Sequence, residues 1–560
     1  MLLACGAARG AQKQDMPVSI ELLYSTYLGG ERSDHAHAIA VDRENNIWVA
    51  GVAGEKFPVT EDYRQKETYG KTIAVSFVFV TKFSPSGQLL NSTILGGTGY
   101  DSANAIVVDR ENNVWVTGNT FSKFFPVTEN AFQKEHKTYS EGFVSKLSST
   151  GKLLYSTFLG GSHHDVAKTI AIDEENNIWI AGETASANFP FSEDAFQKRY
   201  SGNNLSDAFI TKISSSGELL YSTYLGKSGY DAIDAIAVDG ENNIWVVGVA
   251  GSEDFPCTED AYQKKYGGGD CDTFLAKFSP SGRLLYSTFL GENKRPIGKI
   301  VDTNPWGAKH SIAVDRKNNV WIAGKTQADK FPIKDAFQEF YSKDGDAFVS
   351  KFSSNGKLLF STFLGGSAED QARTIAIDGS GNAWIAGCSS STSSSKLFPL
   401  TERPWRKHYT QISDPFFTGF HNTVFISQIS PTGGVLYSSF ACGDIVNGVV
   451  IDKAGSIWLS GQTCSPEWQF PVTENAYQKL MGGIHDVFIS NFKSSNSLPM
   501  PDPAPGPTPG PTPGPTPSPT PGFSAHDVLG GAEVIADVRG GALYDRSGRV
   551  IDEAALAAFT

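Results

Sequence analysis

The sequence predicts an all-β fold built from seven copies of one structural unit. A short pattern recurs seven times: an Asp, five residues, a Trp, two residues and a Gly, as in Asp173, Trp179 and Gly182. Around each copy, the same apolar runs and the same turns follow one another in the same order. Tandem copies of a long unit indicate one supersecondary structure that buries its apolar faces against its neighbours.

Each unit contains four predicted strands. In the third copy three of them cover residues 169–173, 178–182 and 207–213, and residues 153–161 form the strand before them. These segments are short, rich in Ile, Val, Phe, Tyr and Thr, and bounded by Gly, Asn, Asp or Ser-Gly turns, which is typical of strands. The unit is therefore predicted to be a four-stranded sheet.

The repeat is about 65 residues long, whereas a four-stranded blade needs only ~40 to 45 residues. The surplus lies between the second and third strands, where FPFSEDAFQK and its variants recur, and the other turns are tight. A radial array of four-stranded sheets is a β-propeller, for which ~4 to 8 blades are usual. Seven units predict a single seven-bladed β-propeller over residues 17–497.

The two ends of the array predict how the ring closes. Residues 22–30 are a fourth strand with no blade before it, and residues 487–492 are a third strand with no fourth strand after it. Pairing them would remove the sheet edges that an open array exposes. We therefore expect residues 22–28 to lie beside residues 487–492 and to complete blade seven.

The repeated segments also carry a resemblance to a known family. Between residues 22 and 495 the segments LLYSTYLGG, AIAVD, IWVAG, FPVTENAFQK and DAFxSKF, with their variants, follow one another in order. This series resembles the bacterial β-propeller repeat family called SBBP. The resemblance implies a seven-bladed β-propeller and implies little about activity.

The segments outside the array predict an exported protein. Within residues 1–16, Leu2-Leu3-Ala4-Cys5-Gly6 looks like a lipobox in which Cys5 would be lipidated. Only four residues precede Cys5, whereas a signal peptide has an apolar core of ~7 to 15 residues. Either the true start lies upstream, or the match is chance.

Two segments follow the predicted ring. Residues 498–522 are a Pro, Thr and Gly linker, which stays extended because Pro fixes φ and removes donors. Residues 523–560 contain a possible hairpin and a possible helix start, and are too short to bury a core alone. They are interpreted as a short, truncated or partner-dependent module.

Composition restricts the partners. The formal net charge is -13 and the pI is near 5.3, so a phosphate backbone would be repelled and no nucleic-acid partner is expected. No run of about 18 apolar residues is present, so membrane contact is expected only through the lipid anchor. The predicted location is the cell surface, the outer membrane as a lipoprotein, or the medium.

The cysteines suggest disulfides rather than a metal site. Cys257 and Cys271 lie in and just after one long loop, and a bridge between them would stabilise the fold by ~3 kcal/mol. Cys388, Cys442 and Cys464 are placed on loops of blades six and seven, and two of these three could pair. The Cys and His spacings do not match a zinc site.

The search for catalytic and cofactor motifs predicts none. The chain has no HExxH, no GxSxG and no complete phosphate-binding loop. The DRENN turns lack the Gly and Glu of a calcium loop, so a turn stabilised by its own side chains is expected. We expect no cofactor, no metal and no enzymatic activity.

Positions that stay constant across the copies are expected to serve the scaffold. The seven tryptophans are predicted to pack between blades: Trp48, Trp115, Trp179, Trp245, Trp321, Trp384 and Trp458. An Asp before the first strand is predicted to fix a loop by hydrogen bonds: Asp34, Asp101, Asp165, Asp231, Asp370 and Asp444.

One position is polar in every copy but differs between copies. It should line one mouth of the central channel, because the first strand of a blade lies innermost. Polar lining and ligand contact both remain open for these residues: His37, Asn104, Lys168, Asp234, His310, Arg373 and Asn447.

Two insertions predict a binding patch. Residues 292–309 lengthen the link into blade five, and residues 388–422 lengthen the second-to-third-strand loop of blade six. Both should emerge on one face of adjacent blades, with aromatic, Lys and Arg side chains of the kind that recognition surfaces use. The alternative is that the insertions pack on each other. The candidate residues are Lys294, Arg295, Trp306, Trp405, Arg406, Tyr409, Phe416, Phe417 and Phe420.

These observations predict a non-catalytic, exported or cell-surface scaffold that binds a protein or a glycan at blades five and six. One alternative is a polysaccharide-acting propeller, a lyase or a glycoside hydrolase, which would need two carboxylates ~5 to 10 Å apart. Asp234 is the only acid in the predicted ring, which counts against this alternative. A periplasmic assembly scaffold is the third possibility.

Overall fold

The computed structural model describes residues 18–64, 76–203, 205–291, 309–328, 330–342, 345–391, 398–402, 404–406, 423–465, 470–495, 537–539 and 542–544. The chain divides into two compact units, Met1–Asp502 and Pro503–Thr560. Among the described residues, the first unit contains seven β-sheets, and the second contains one antiparallel strand pair, Asp537–Arg539 with Ala542–Tyr544.

Each of the seven sheets contains a blade of four antiparallel strands that lie in order from the first to the fourth, and the sheet of blade one has a fifth, short strand at its outer edge. Blade one consists of His35–Val41, Ile47–Ala53, Phe77–Phe83 and Leu89–Gly96, and blade two of Asp101–Val108, Val114–Thr120, Glu141–Leu147 and Leu153–Leu159. Blade three consists of Asp165–Ile172, Ile178–Thr184, Asp207–Ile213 and Leu219–Leu225, and blade four of Asp231–Val238, Ile244–Ala250, Asp272–Phe278 and Leu284–Leu290. Blade five consists of Ser311–Val314, Val320–Thr326, Asp346–Phe352 and Leu358–Leu364, and blade six of Asp370–Ile377, Ala383–Ser389, Thr423–Ile429 and Val435–Phe440. Blade seven consists of Ile445–Ile451, Ser456–Thr463, Asp486–Ser494 and Ile20–Leu28.

The seven blades form a closed ring. The first strand of each blade contacts the first strands of both neighbours all the way round, so the first strands line the central channel. The N-terminal strand pairs with the third strand of blade seven, with Leu22 opposite Phe492 and Leu28 opposite Val487. The predicted closure by the N-terminal strand is confirmed, and it removes the open edges.

The antiparallel order gives the ring two faces. The links between blades and the loops from second to third strands leave the ring on one face, here called the entry face. The turns from first to second strands and from third to fourth strands lie on the opposite face. The entry face therefore carries the longest and most variable segments.

The long loop between the second and third strands covers the outer edge of its own blade. In blade two the Thr128 amide donates to Ser156 O at 3.0 Å, and the Phe158 amide donates to Gln133 O at 3.1 Å. In blade one, part of this loop forms a short strand, Glu61–Arg64, that runs parallel to the fourth strand. The surplus length of the repeat thus satisfies backbone groups that an exposed edge strand would leave open.

The repeated Asp and Trp form one buried unit with a Lys of the third strand. In blade three, Trp179 Nε1 donates to Asp173 at 3.1 Å, and Lys212 Nζ lies 3.1 Å from the same carboxylate and 5.0 Å from the Trp179 ring centroid. Burial alone would raise the pKa of Asp173, but the hydrogen bonds from Asn177 and the Lys212 ammonium hold it below its usual value. The Asp side chain also accepts backbone amides of its own turn, at 2.8 Å from Asn177 N.

The seven tryptophans are all fully buried. Each lies in an apolar cluster that also contains residues of the following blade; Trp179, for example, packs with Ile236 and Val246 of blade four. Burial of a large aromatic side chain at every boundary stabilises each blade against the next.

The predicted disulfide between Cys257 and Cys271 is wrong, because both are free thiols. Cys257 lies beside Ser287 of the fourth strand, whereas Cys271 lies near Asp234 of the innermost strand. Burial raises the pKa of Cys257 to about 11 and that of Cys271 to about 12.

The other three cysteines of the described residues are also free thiols. Cys388 lies within a strand of blade six and is buried there. The expectation that it lies on a loop is wrong. Cys442 is buried with its Sγ 3.2 Å from Ser490 Oγ. No pair among Cys388, Cys442 and Cys464 is joined. Within the described part of the chain, no helix has the length and apolar character needed to cross a membrane.

Candidate functional site

The channel-mouth residues occupy a repeated irregularity of the innermost strands. In six blades the register of the first strand shifts at this position, for example between Ala36 and Ala38 in blade one. Such a β-bulge adds one residue that has no partner in the ladder. The bulge residues are His37, Asn104, Lys168, Asp234, Arg373 and Asn447, and in blade five His310 lies just before the first strand.

Four of these side chains join one blade to the next by the same type of hydrogen bond. His37 Nδ1 donates to Ala103 O at 2.8 Å, and Asn104 Nδ2 donates to Ala167 O at 3.1 Å. In each case the acceptor is the carbonyl just before the bulge residue of the next blade. Arg373 and Asn447 make the equivalent bonds, at 3.1 Å to Val446 O and at 2.8 Å to Ala36 O.

In blades three to five, contacts among charged and polar side chains replace these hydrogen bonds. Lys168 Nζ lies 3.4 Å from Glu183 and 3.6 Å from Asp234, and the other Asp234 oxygen lies 2.8 Å from His310 Nδ1. His310 Nε2 lies 2.9 Å from Thr273 Oγ1. Burial alone would raise the pKa of Asp234, but Lys168 and His310 lower it. Asp234 therefore carries a negative charge that binds three blades together.

The channel also contains a cation that the sequence reasoning missed. Lys309 precedes His310 and is partly buried. Burial, Arg373 and Lys168 lower the pKa of Lys309 to about 8, against an opposite effect of Asp234. A comparison of the repeats at this one position would have found it, because the equivalent residues of the other blades are Ala36, Ala103, Ala167, Ile233, Ala372 and Val446.

The Asp series before the first strands fixes the loops of the entry face. Asp165 accepts the Gly161 amide of the link at 2.7 Å and the Ser186 hydroxyl of the long loop at 2.9 Å. The other members also accept link or loop donors. The series therefore connects the two segments that leave each blade on the entry face.

A second carboxylate, at the start of the third strand of the preceding blade, lies beside several of these aspartates. Asp207 and Asp231 flank Gly226 so closely that a Cβ there would lie 3.0 and 2.6 Å from their oxygens. Burial raises the pKa of Asp207 to about 7 and that of Asp231 to about 6. Further pairs are Glu141 with Asp165, Asp346 with Asp370, and Asp486 with Asp34. Among the described residues, no group of three or more His, Cys, Asp or Glu side chains is placed to hold a metal ion.

The predicted patch at blades five and six lies mostly outside the described residues. This applies to Lys294, Arg295, Trp306, Tyr409, Phe416, Phe417 and Phe420. Trp405 and Arg406 are described, and they occupy a regular position of the repeat rather than an insertion. The Trp405 amide donates to Tyr437 OH at 2.9 Å, and the Phe196 amide makes the equivalent bond to Tyr221 OH at 3.2 Å in another blade.

The Trp405 ring packs between blades. Its centroid lies 5.4 Å from that of Phe492 of blade seven in an edge-to-face arrangement, and Arg406 lies over its other side at 5.0 Å. Phe196 and Tyr262 make the same edge-to-face contact with Phe278 and Phe352. The geometry therefore gives Trp405 a packing role, and ligand contact by the remaining patch residues stays a prediction.

Blade two carries an aromatic cluster on the entry face that the sequence reasoning missed. Phe121 makes edge-to-face contacts with Tyr100 at 6.1 Å and with Tyr139 at 5.0 Å. Tyr139 is 82% exposed and Phe124 is 49% exposed. In blade six the position of Phe124 holds Leu397, and in the five other copies it holds a polar residue: Lys56, Asn188, Asp254, Lys330 and Gln469.

A closed ring of seven four-stranded antiparallel sheets around a channel defines a β-propeller. Residues 90–125 and 154–190 match the family SBBP, described as Beta-propeller repeat. These two stretches therefore match the family that the sequence resemblance predicted.

Other similarities are more distant. The chain is 22% identical over 439 residues to an uncharacterized WD repeat-containing protein of Acanthamoeba polyphaga mimivirus, a match that covers 67% of this chain and 32% of that protein. Among solved structures, the WD40 β-propeller domain of Doa1 is similar with a TM-score of 0.39 and 10% identity, covering 84% of this chain and 97% of that chain. A protein of unknown function from Dyadobacter fermentans is similar with a TM-score of 0.35 and 10% identity, covering 85% of this chain and 99% of that chain.

Proposed function

We propose that this protein is a non-catalytic, exported or cell-surface scaffold that binds a protein or a glycan on its entry face. The observation that carries the proposal is the aromatic cluster of Tyr100, Phe121 and Tyr139 in blade two, together with the exposed Phe124 three residues after Phe121. Exposed aromatic side chains are the residues that most often supply binding energy at recognition surfaces. Scaffold positions repeat from blade to blade, whereas Phe121 and Phe124 are particular to this blade.

The arrangement of the cluster supports a prepared binding surface. The edge-to-face contacts between Phe121, Tyr100 and Tyr139 hold the rings in place before any partner arrives. A rigid aromatic surface loses little conformational entropy on binding. Lys123 lies 5.9 Å from the Phe124 ring centroid and adds a polar contact at the margin of the cluster.

The channel supports a non-catalytic role. A glycoside hydrolase needs one carboxyl group that donates a proton and a second that acts as base or nucleophile. Asp234 is instead held as a carboxylate between Lys168 and His310. Most of the other bulge residues bond to neighbouring blades, which is a structural use of the channel wall.

The proposal is tested with the double variant Phe124→Asn and Tyr139→Asp. Both new residues occur at the equivalent positions of other blades, as Asn188 and Asp270, so the ring is expected to fold. Binding of the full chain to a glycan array and to intact bacterial cells is compared with that of the unaltered protein. We expect binding to weaken about tenfold or more, since hot-spot residues carry most of the affinity.

Phe340→Ala is the matched control, because Phe340 is 75% exposed and lies in another blade. It should bind as the unaltered protein does. Equal binding by the double variant and the unaltered protein would exclude the blade-two cluster. Retention on the array or on cells after protease treatment of the cells separates a glycan from a protein partner.

A further inference from the structure

The inference concerns a leucine near the start of the fourth strand, which is the outermost of the four strands of a blade. In all seven blades the pairing of the third and fourth strands shifts register at this residue, so it is a β-bulge without a partner in the ladder. The residue is leucine in every copy, and the seven are here called the rim leucines: Leu23, Leu90, Leu154, Leu220, Leu285, Leu359 and Leu436. An apolar side chain therefore occupies the same outer position all round the ring.

The rim leucines face water rather than the core. The first four are between 40% and 47% exposed, Leu436 is 37% exposed, and Leu285 and Leu359 are half-buried. The residue two positions before each rim leucine also lies at the surface, yet it differs between copies: Glu21, Gln88, Lys152, Glu218, Arg283, Lys357 and Gly434. Core packing does not explain a leucine that is kept seven times at a surface position whose neighbour varies.

The rim leucines lie at the face opposite the entry face, here called the turn face, which carries the turns between first and second and between third and fourth strands. Leu220, for example, closely follows the turn in which the Gly217 amide donates to Ser214 O at 2.9 Å. The chain also enters and leaves the ring on this face, where the Ser19 amide donates to Ser495 Oγ at 3.0 Å. The segment with Cys5, for which the sequence predicts lipidation, therefore joins the ring on the turn face.

The rim does not share the acidic character of the whole chain. The formal net charge of the chain is -13. Of the variable residues beside the rim leucines, three are basic and two are acidic: Lys152, Arg283 and Lys357, and Glu21 and Glu218. Lys and Arg side chains beside an apolar contact extend their charged ends toward phosphate groups while their stems stay apolar. The rim thus lacks the negative charge that an anionic lipid surface would repel.

A flat lipid surface fits this distribution better than a protein partner does. Protein interfaces concentrate their binding energy in a central patch of Trp, Tyr and Arg, where Leu is under-represented. The rim leucines are instead spread over seven blades at one height of the ring, so a plane contacts them all whereas a compact partner contacts only a few.

We propose that the turn face binds the surface of a phospholipid bilayer through the rim leucines, which enter the boundary between headgroups and acyl chains. The entry face is then directed away from the membrane and stays open to its own partner. This contact adds to the lipid anchor that the sequence predicts, and it does not depend on the proposed function of the entry face.

Flotation of the full chain with vesicles of phosphatidylcholine and phosphatidylglycerol, in a four-to-one ratio, tests the proposal. Every sample carries Cys5→Ser, so that no acyl chain contributes. We expect the chain to bind the vesicles, and the rim variant Leu90→Gln with Leu220→Gln to bind about tenfold more weakly or less, because apolar area is lost from the contact. The control Leu205→Gln with Leu480→Gln changes two leucines of entry-face loops that are 47% and 63% exposed, and its binding should be unchanged.

Absence of vesicle binding, or equal losses in the rim variant and the control, would overturn the proposal. So would a dimer in sedimentation without vesicles that the rim variant dissociates, because the rim would then be an interface between two copies of the chain. Binding to a glycan array through Phe124 and Tyr139 should be unchanged in the rim variant. Failure of the membrane contact is therefore distinguished from failure of the entry-face site.

A second measurement needs no substitution in the ring. Hydrogen–deuterium exchange of the full chain with Cys5→Ser is followed with and without the same vesicles. We expect the vesicles to slow exchange about threefold or more in peptides that contain Leu90, Leu154 or Leu220, because the contact restricts local opening there. Exchange in residues 133–140 of the entry face should be unaffected. Equal slowing on both faces, or slowing on the entry face alone, would contradict binding through the rim.

Discussion

At the scale of single residues, the Asp, Trp and Lys of the repeat form a buried charged unit in five blades. The Lys of this unit lies 3.0 to 3.1 Å from the Asp: Lys82, Lys146, Lys212, Lys277 and Lys351. In blade six Gln428 takes its place and donates to Asp378 at 3.0 Å. The carboxylate is common to all seven blades, since Asp452 accepts Trp458 Nε1 in the seventh, while its partner in the third strand changes.

The replacement of Lys by Gln in blade six predicts that changing Asp173 and changing Lys212 have unequal effects on the stability of the protein. Asp173→Ala should lower the free energy of unfolding by about 3 to 5 kcal/mol, because the Lys212 ammonium is left buried without a carboxylate. Lys212→Gln should cost about 1 kcal/mol, since it reproduces the arrangement of blade six and keeps one hydrogen bond to the Asp. Denaturant unfolding of both variants measures the difference, and equal losses would refute this reading of the unit.

At the scale of the blade, a tyrosine joins the fourth strand to the next blade at four of the boundaries. Its hydroxyl donates at 2.9 Å to the carbonyl of a glycine in the turn between the third and fourth strands: Tyr24 to Gly87, Tyr155 to Gly217, Tyr221 to Gly282 and Tyr286 to Gly356. The glycine has a positive φ, 95° at Gly217, and a Cβ there would lie 2.2 Å from the tyrosine ring. Both the backbone and the space require glycine at this position.

Adjacent glycines of blade six provide a matched test of this contact. Gly433 has a φ of 95° and a Cβ there would lie 2.2 Å from Phe360, whereas the nearest atom to a Cβ at Gly434 is Ser430 Oγ at 3.4 Å. We expect Gly433→Ala to lower the free energy of unfolding by about 1 to 3 kcal/mol. Gly434→Ala should change it by about 0.5 kcal/mol or less. Thermal unfolding of the two variants checks the prediction, and equal stability would show that the blades can move apart at this turn.

At the scale of the whole ring, buried carboxylates at the blade boundaries make stability depend on pH. Burial raises the pKa of seven of them to about 6 or 7: Asp34, Asp101, Glu141, Asp165, Asp207, Asp231 and Asp370. A group whose pKa is raised by folding contributes stability that is complete below its unfolded pKa and is lost as the pH rises through the folded value. These groups therefore stabilise the ring at low pH and lose that effect between about pH 4 and pH 7.

We expect the protein to unfold at a higher temperature at pH 5 than at pH 8. His35 and His37 act in the opposite direction, because burial lowers their pKa values to about 4 and about 3, but the carboxylates outnumber them. Four aspartates that lie beside the repeated tryptophans have lowered pKa values, so their contribution changes only below about pH 4: Asp42, Asp173, Asp239 and Asp315. Calorimetry at the two pH values measures the difference. Asp231→Asn, which removes one titrating group, should reduce it, and a higher unfolding temperature at pH 8 would contradict the assignment.

Much of the ring was predictable from contiguous residues. The turn residues and short β-branched and aromatic runs specify the strands, and the count of Asp and Trp patterns specifies the number of blades. The unmatched strands at the two ends specify the closing pair, Leu22 with Phe492. The candidate sites were predicted less well. Spacing along the chain placed Trp405 in an insertion, although its backbone bonds place it in the regular repeat.

The sequence by itself therefore determined the strands, the seven blades and the closure, because these follow from local patterns that are copied along the chain. Only the tertiary structure decided which side chains meet between blades. His37 reaches the carbonyl of a residue 66 positions away through a β-bulge, while Cys257 and Cys271, close in sequence, remain unjoined. Lys168, Asp234 and His310 of three different blades likewise meet only because the closed ring turns the first strands toward one channel, and no local pattern encodes that convergence.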